Sequence, residues 1–288
     1  MAALEITTHI GCTNACSYCP QSTLLKAYSA RNACRSMSFQ IFKDCIDKVP
    51  VDVNVHFSGM CDPWLNPDCS RMLLYAHAKG HRLSVYTALA GMTAIDLGLF
   101  ESIDFRDFSV HLPSAGSRIN FIVNEEYLDL VRKLASGRMK NLFFRAHGNE
   151  LPPSIRSIMN KERRHVDWFP LSSRAGNIHL NELKHSHRRK KVVGCVRQHR
   201  QNVLLPNGDV VLCCADYGMR HVLGNLSTGS YQELFTSNEF LKVKSGMWCD
   251  ASDILCKYCD GYTYETFPGR IFSLLSNKIS RACRLNIQ

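Results

Sequence analysis

Long apolar runs are missing from this sequence. Nowhere do eighteen apolar residues follow one another, so a membrane-spanning helix is excluded. Residues 1–11 carry neither a basic segment nor a long apolar stretch, which argues against a secretory signal and sets the expectation of a cytoplasmic protein. Strong compositional bias is missing too. With 45% hydrophobic and 21% charged residues, the 288-residue chain is neither mainly disordered nor a coiled coil. No internal repeat is visible. Acids are in short supply: 25 Asp and Glu face 35 Lys and Arg, a net charge of +10 that favours an anionic small-molecule substrate. Residues 184–191 (KHSHRRKK) hold five of those cations and no acid, the composition of a basic linker. No aromatic residue is interleaved there, so neither nucleic acid nor membrane is expected as a partner. Cysteine is what abounds. Fourteen cysteines in a reducing compartment are better read as metal ligands or reactive thiols than as disulfides.

Through about residue 170 the chain alternates strand-like and helix-like segments. Strands are predicted over Leu4–His9, Val51–Phe57, Arg82–Tyr86, Phe105–His111, Asn141–His147 and His165–Phe169. Helical patterns fall at Ser38–Lys48, Cys69–Lys79, Ala94–Phe100, Glu125–Leu134 and Pro153–Lys161. Six such alternations predict parallel strands with crossover helices, an α/β fold built as a partial (β/α)6 barrel over residues 1–183. Catalytic groups of such barrels collect where the strands end. A basic linker at 184–194 leads to a smaller unit at 195–288. There Asn202–Leu205 and Val210–Leu212 predict a hairpin around Pro206-Asn207-Gly208-Asp209. Tyr231–Ser245 predicts one helix, and Arg270–Ile279 a C-terminal helix packing back on the body.

Two cysteine groups carry the chemistry. Cys12, Cys16 and Cys19 follow the first strand in a CxxxCxxC loop. Three thiolates can hold three irons of a cubane and leave the fourth open. A structural zinc would need a fourth ligand, and the nearest cysteine, Cys34, lies fifteen residues on. Cys195 and Cys213 flank the hairpin, while Cys256 and Cys259 form a CxxC turn. These four suit an iron–sulfur cluster or zinc, and spacing alone does not choose between them. Of the other seven, Cys34, Cys45, Cys69 and Cys283 read as small buried residues, whereas Cys61, Cys214 and Cys249 adjoin the inferred cofactor loops.

With CxxxCxxC after its first barrel strand, the sequence resembles the radical S-adenosylmethionine superfamily. That resemblance implies a [4Fe–4S] cluster on Cys12, Cys16 and Cys19 that binds S-adenosylmethionine, with Tyr18 against the adenine. His56-Phe57-Ser58-Gly59-Met60-Cys61-Asp62-Pro63 is similar to the family's Gly-Gly-Glu-Pro region, which holds the methionyl amino group. Gly59 and Pro63 fit; Met60-Cys61 departs, and Asp62 stands where Glu is usual. The resemblance further implies cofactor contacts from Thr87 and Ser172 and a substrate-facing Arg174, while His111, at the end of the fourth predicted strand, points into the barrel mouth as a candidate catalytic residue. The second cysteine group resembles the shortened SPASM, or twitch, extension, which implies one auxiliary [4Fe–4S] cluster on Cys195, Cys213, Cys256 and Cys259.

The expected activity follows from that likeness. A 5′-deoxyadenosyl radical would abstract hydrogen from a carbinol or amine-bearing carbon of an aminosugar- or aminocyclitol-like molecule. The build resembles two enzyme kinds, the 2-deoxy-scyllo-inosamine dehydrogenases and the neomycin-type epimerases. The first oxidises by two electrons; the second returns hydrogen from a thiol, for which Cys249 is the candidate. A reductant such as flavodoxin or ferredoxin is implied. Radical modification of a ribosomal peptide is the alternative, although the chain starts almost at its first strand and no leader-binding domain is expected.

Overall fold

The computed structural model describes residues 2–114, 123–178 and 195–260. Six parallel strands appear where the alternation placed them: β1 (Ala3–Ile6), β2 (Asn54–Phe57), β3 (Leu83–Thr87), β4 (Asp107–His111), β5 (Leu142–His147) and β6 (Val166–Phe169). Each pairs with its sequence neighbour, giving the run β6-β5-β4-β3-β2-β1 of an open α/β sheet. Helices α1 (Gln21–Ser29) and α2 (Phe39–Ile46) cross from β1 to β2. The later crossovers are α3 (Cys69–Ala78), α4 (Ala94–Leu99), α5 (Glu125–Ser136) and α6 (Pro153–Lys161). Local chemistry starts several of them. Ser38 Oγ accepts the Ile41 N–H at 3.2 Å, Asn124 Oδ1 accepts the Tyr127 N–H at 2.9 Å, and Thr93 with Asp96 forms a capping box.

A parallel sheet covered on both faces has near-continuous apolar strands. These strands instead alternate. Leu4, Ile6, Val55, Phe57, Val85, Phe108, Val110 and Phe144 pack in one core with the helical Phe42, Leu73, Val131 and Ile155. The intervening positions are Glu5, His56, Tyr86, Asp107, Ser109, His111 and Arg145. Period-two geometry puts them on the other face, so the sheet wraps a polar interior.

The C-terminal unit continues the same sheet. Helix α7 (Arg197–Arg200) leads into β7 (Gln201–Leu204), which pairs in parallel with β1; β8 (Asp209–Val211) and β9 (Val222–Asn225) follow antiparallel. The expected hairpin is therefore present, and its turn uses Gly208 at φ +89°. The helix expected over Tyr231–Ser245 is not continuous. A 3-10 turn at Gln232–Phe235 stops, and α8 (Asn238–Gly246) starts afresh because Ser237 Oγ accepts the Phe240 N–H at 3.2 Å. Helix α1 and strand β9 were not anticipated. The basic linker 184–194, the helix expected at Arg270–Ile279 and Cys283 lie outside the described residues. Among the described residues no helix is long and apolar enough to cross a membrane.

Candidate active site

The strands of the sheet end around a cavity of about 390 Å³, within the ~300–1,000 Å³ of ordinary small-molecule sites. The loop after β1 supplies its rim with Cys12, Cys16 and Cys19. Gln21, at the start of α1, ties that loop down. Its side chain accepts the Cys12 N–H at 3.3 Å and donates to Cys19 Sγ at 3.3 Å and to the Met60 carbonyl at 2.6 Å. From the C-terminal unit, the Tyr217 hydroxyl lies 3.4 Å from Cys19 Sγ. Burial, with the neighbouring thiols adding to it, pushes the Cys16 thiol up to about 12. Such crowded thiols favour a cation among them, which removes their protons.

Strand β2 delivers Gly59 and Asp62. Gly59 has φ +83°, and an added Cβ would stand 2.3 Å from Thr7 Oγ1. Asp62 knots three strand ends together. Its carboxylate accepts from Thr87 Oγ1 at 2.7 Å, the Ala88 N–H at 2.7 Å and Asn14 Nδ2 at 3.2 Å. Burial raises Asp62 to about 6 even though these bonds oppose the shift. Asn14 Oδ1 is buried beside them with no hydrogen-bond partner among the described residues. An orphaned acceptor next to a carboxylate, above a glycine with no room for a side chain, suits a cationic ligand head pressed against the backbone.

Lower down, Glu5, His56, His111 and Arg174 face the cavity. Burial raises Glu5 to about 7 against the pull of Arg197 and Arg174. Burial and the cations around it, His147 first, lower His111 to about 3, so this ring is neutral at physiological pH. Tyr18 packs its ring 4.4 Å from that of His147. Arg174, Ala175 and Gly176 all have positive φ, and the turn is fixed by Ser173, whose Oγ accepts the Gly176 N–H at 3.1 Å.

Two expectations shift. Ser172 does not line the cavity, and neither does Cys249, which is buried in the segment between α8 and the CxxC turn, its carbonyl accepting from Lys257 Nζ. Cys214 lines it instead, in the same cavity wall as Glu5. Alternation continued along the hairpin would turn Cys214 away from the cavity, but β8 ends at Val211 and the period-two rule does not extend past that end. Sequence reasoning also missed Glu5, Asn14, His56, Arg197 and Tyr217. One signal was available: Glu5 is a charge inside the apolar Ala3-Leu4-Glu5-Ile6 strand.

The second cysteine group gathers on the far side of the Arg174 loop. Burial and neighbouring thiols raise Cys213 and Cys256; Cys256 senses Cys195 and Cys259, and Cys213 senses Cys256. Ala175, Ala215 and Leu255 pack around Cys213 and Cys259. The surrounding turns are held by Asp216, which accepts the Arg220 and His221 N–H groups at 2.8 and 2.9 Å, and by His221 Nε2, which accepts the Leu255 N–H at 3.0 Å. No disulfide joins any of the thirteen described cysteines. Among the described residues no three His, Cys, Asp or Glu side chains converge on one metal ion. A cubane asks for something different, since each thiolate binds its own iron.

An open parallel sheet with a three-thiol loop after its first strand and a four-thiol C-terminal unit is the build of an iron–sulfur protein with two centres. Residues 195–260 match SPASM, an iron-sulfur cluster-binding domain. Among solved structures, BtrN in complex with AdoMet and 2-DOIA is similar at 16% identity and a TM-score of 0.59, over 92% of this chain and 95% of that one. Native anSMEcpe with bound AdoMet is similar at 11% identity and 0.60, over 99% and 97%. Streptococcus suis SuiB bound to precursor peptide SuiA is similar at 11% and 0.60, over 91% and 71%. No curated protein matches the sequence. The chain thus shares the fold of these AdoMet-bound structures over more than nine tenths of its length, and its residues 195–260 match the iron-sulfur cluster-binding SPASM domain.

Proposed function

We propose that this protein is a radical S-adenosylmethionine enzyme with two [4Fe–4S] clusters. Its substrate is a small polar molecule, aminosugar- or aminocyclitol-like, and its products arise by epimerisation or two-electron oxidation at a carbinol or amine-bearing carbon. The observation that carries this reading is the single cavity in which Cys12, Cys16 and Cys19 stand over Asn14, Glu5, His111 and Arg174. When bound, the cluster on those three thiolates and S-adenosylmethionine supply the electron and the carbon radical that remove a hydrogen atom. Cys195, Cys213, Cys256 and Cys259 hold the second cluster, and flavodoxin or ferredoxin serves as reductant.

The protein's own groups then have separable tasks. Asp62 and Asn14 receive the cofactor's ammonium group, Gly59 lets it approach the backbone, and Tyr18 and Thr87 border the nucleoside. Arg174 and neutral His111 orient the polar substrate below. Glu5, with a pKa of about 7, is matched to taking the hydroxyl proton of a carbinol radical, whose remaining electron the cluster on Cys195, Cys213, Cys256 and Cys259 would accept. Cys214 is the thiol within the cavity, and its S–H bond can return hydrogen where the outcome is epimerisation. Peptide modification is the second reading, favoured by the likeness to SuiB bound to precursor peptide SuiA.

The test is anaerobic reconstitution followed by reduction with dithionite. About eight irons per chain and formation of 5′-deoxyadenosine are expected. Replacing Cys12, Cys16 and Cys19 together should leave about four irons and no 5′-deoxyadenosine. Zinc in place of the second cluster, or iron without cofactor cleavage, would refute the proposal.

A further inference from the structure

A second chamber of about 400 Å³ lies at the opposite end of the barrel interior, where the strands begin. His56, Tyr86, Arg197 and Gln201 line both chambers, so the two adjoin across these four side chains. The lower chamber is unusual in its charge. Arg106, Arg197 and Arg200 line it with one acid, Asp107. That acid is already engaged. Asp107 Oδ2 accepts from Arg145 at 3.1 Å and from the Tyr86 hydroxyl at 3.3 Å, and Oδ1 accepts from Ser109. Arg145 therefore neutralises it, and the rest of the lining is cationic, with Arg106, Arg197 and Arg200 and no second acid among the lining residues.

Polar atoms in this chamber also lack partners. Arg197 Nε, His56 Nε2 and Ser84 Oγ are buried and make no hydrogen bond among the described residues. Ser84 is 1% exposed. Each such atom left unpaired has lost its water without a replacement, a cost removed when a ligand supplies the partner. A guanidinium with two smaller polar groups around it matches an oxyanion, because several oxygens can accept at once from a planar fork and its neighbours.

We propose that the lower chamber is an anion site that holds a phosphate or carboxylate group of the substrate on Arg197, with Arg106 and Arg200 at its mouth. The rest of the substrate then extends past His56 and Tyr86 to Glu5 and the thiol-rimmed cavity. Anchored by its charged end, the molecule presents one carbon to the reactive chamber. Calling the ligand a substrate rests on the function proposed above; the anion site itself does not.

Inorganic phosphate, titrated calorimetrically into the anaerobically reconstituted protein, is the probe, with acetate as a parallel arm. Saturable binding of at least one is expected, weakened about tenfold or more in Arg197→Gln, as loss of a charge-assisted contact implies. Tighter phosphate identifies a phosphate ester as the ligand class, and tighter acetate a carboxylate. Arg106→Gln, an exposed position at the mouth, should weaken the same anion and carries the test if Arg197→Gln does not fold. Binding of neither anion, or unchanged affinity in the variant measured, overturns the proposal. Failure of 5′-deoxyadenosine formation with anion binding intact would instead refute the radical reading alone.

Discussion

Gly59→Ala tests how the cofactor corner is built. At φ +83° the new Cβ would meet Thr7 Oγ1 at 2.3 Å and the Thr7 nitrogen at 3.3 Å. Thr7 is fully buried, and its Oγ1 accepts the Met60 N–H at 3.0 Å. The left-handed backbone costs alanine ~1–2 kcal/mol. Rotating the Thr7 hydroxyl out of the way strands the Met60 N–H, a further ~1–3 kcal/mol. A loss of roughly 2–5 kcal/mol is thus expected, a large share of the ~5–15 kcal/mol that holds a domain together. Urea midpoints of wild type, Gly59→Ala, Thr7→Ala and the double variant give the measurement. Thr7→Ala removes the colliding oxygen, so the double variant should be more stable than the two single losses predict, by about 1–3 kcal/mol. A Gly59→Ala loss below about 1 kcal/mol, or additivity in the cycle, would refute the packing account.

Other expectations concern charge and thiol placement. Asp62→Asn sets an amide nitrogen against a set of donors that includes the Thr87 hydroxyl and the Ala88 N–H, and should cost ~1–3 kcal/mol and weaken S-adenosylmethionine in equilibrium dialysis. Glu5 is raised to about 7 by burial, so the folded protein binds its proton more tightly than the unfolded chain. Stability should be greatest below the unfolded value near 4.5 and fall by about 3 kcal/mol as pH rises through about 7. Glu5→Gln should flatten that slope in denaturation at pH 5 and 8, and an unchanged slope rejects the assignment. Cys214→Ala should still form 5′-deoxyadenosine while losing solvent-derived hydrogen in the product, and Cys249→Ala should keep both. The reverse pattern, read by mass spectrometry in deuterated water, would return the donor role to Cys249.

What could be read from the sequence was whatever depends on near neighbours. Strands β1 to β6 declared themselves as short runs rich in Val, Ile, Phe and Tyr, bounded by Gly, Pro or polar residues. Both thiol groups were visible through local spacing, and Gly59 and Asp62 through the turn that contains them. What was illegible depends on where distant segments meet. Cys214 and Arg197 reach the cavity only because β7 joins β1, a pairing between residues 3–6 and 201–204 that no periodicity announces. Helix α1 was hidden because its buried residues are only Leu24 and Tyr28, too few to stand out as a stripe. The break before α8 is decided by the single hydroxyl of Ser237.

The pairing of β7 with β1 has a consequence for how the chain can be divided. The Thr7 N–H continues that ladder by donating to the Leu204 carbonyl at 2.9 Å, so β1 is an interior strand with a neighbour on each side. Remove everything from residue 195 onward and β1 becomes a bare border, with Leu4 and Ile6 beside a row of unanswered backbone donors and acceptors. Such borders recruit other chains. The C-terminal segment thus acts as a seam closing the protein against its own copies, and a chain ending at residue 194 should aggregate during expression where the full chain does not.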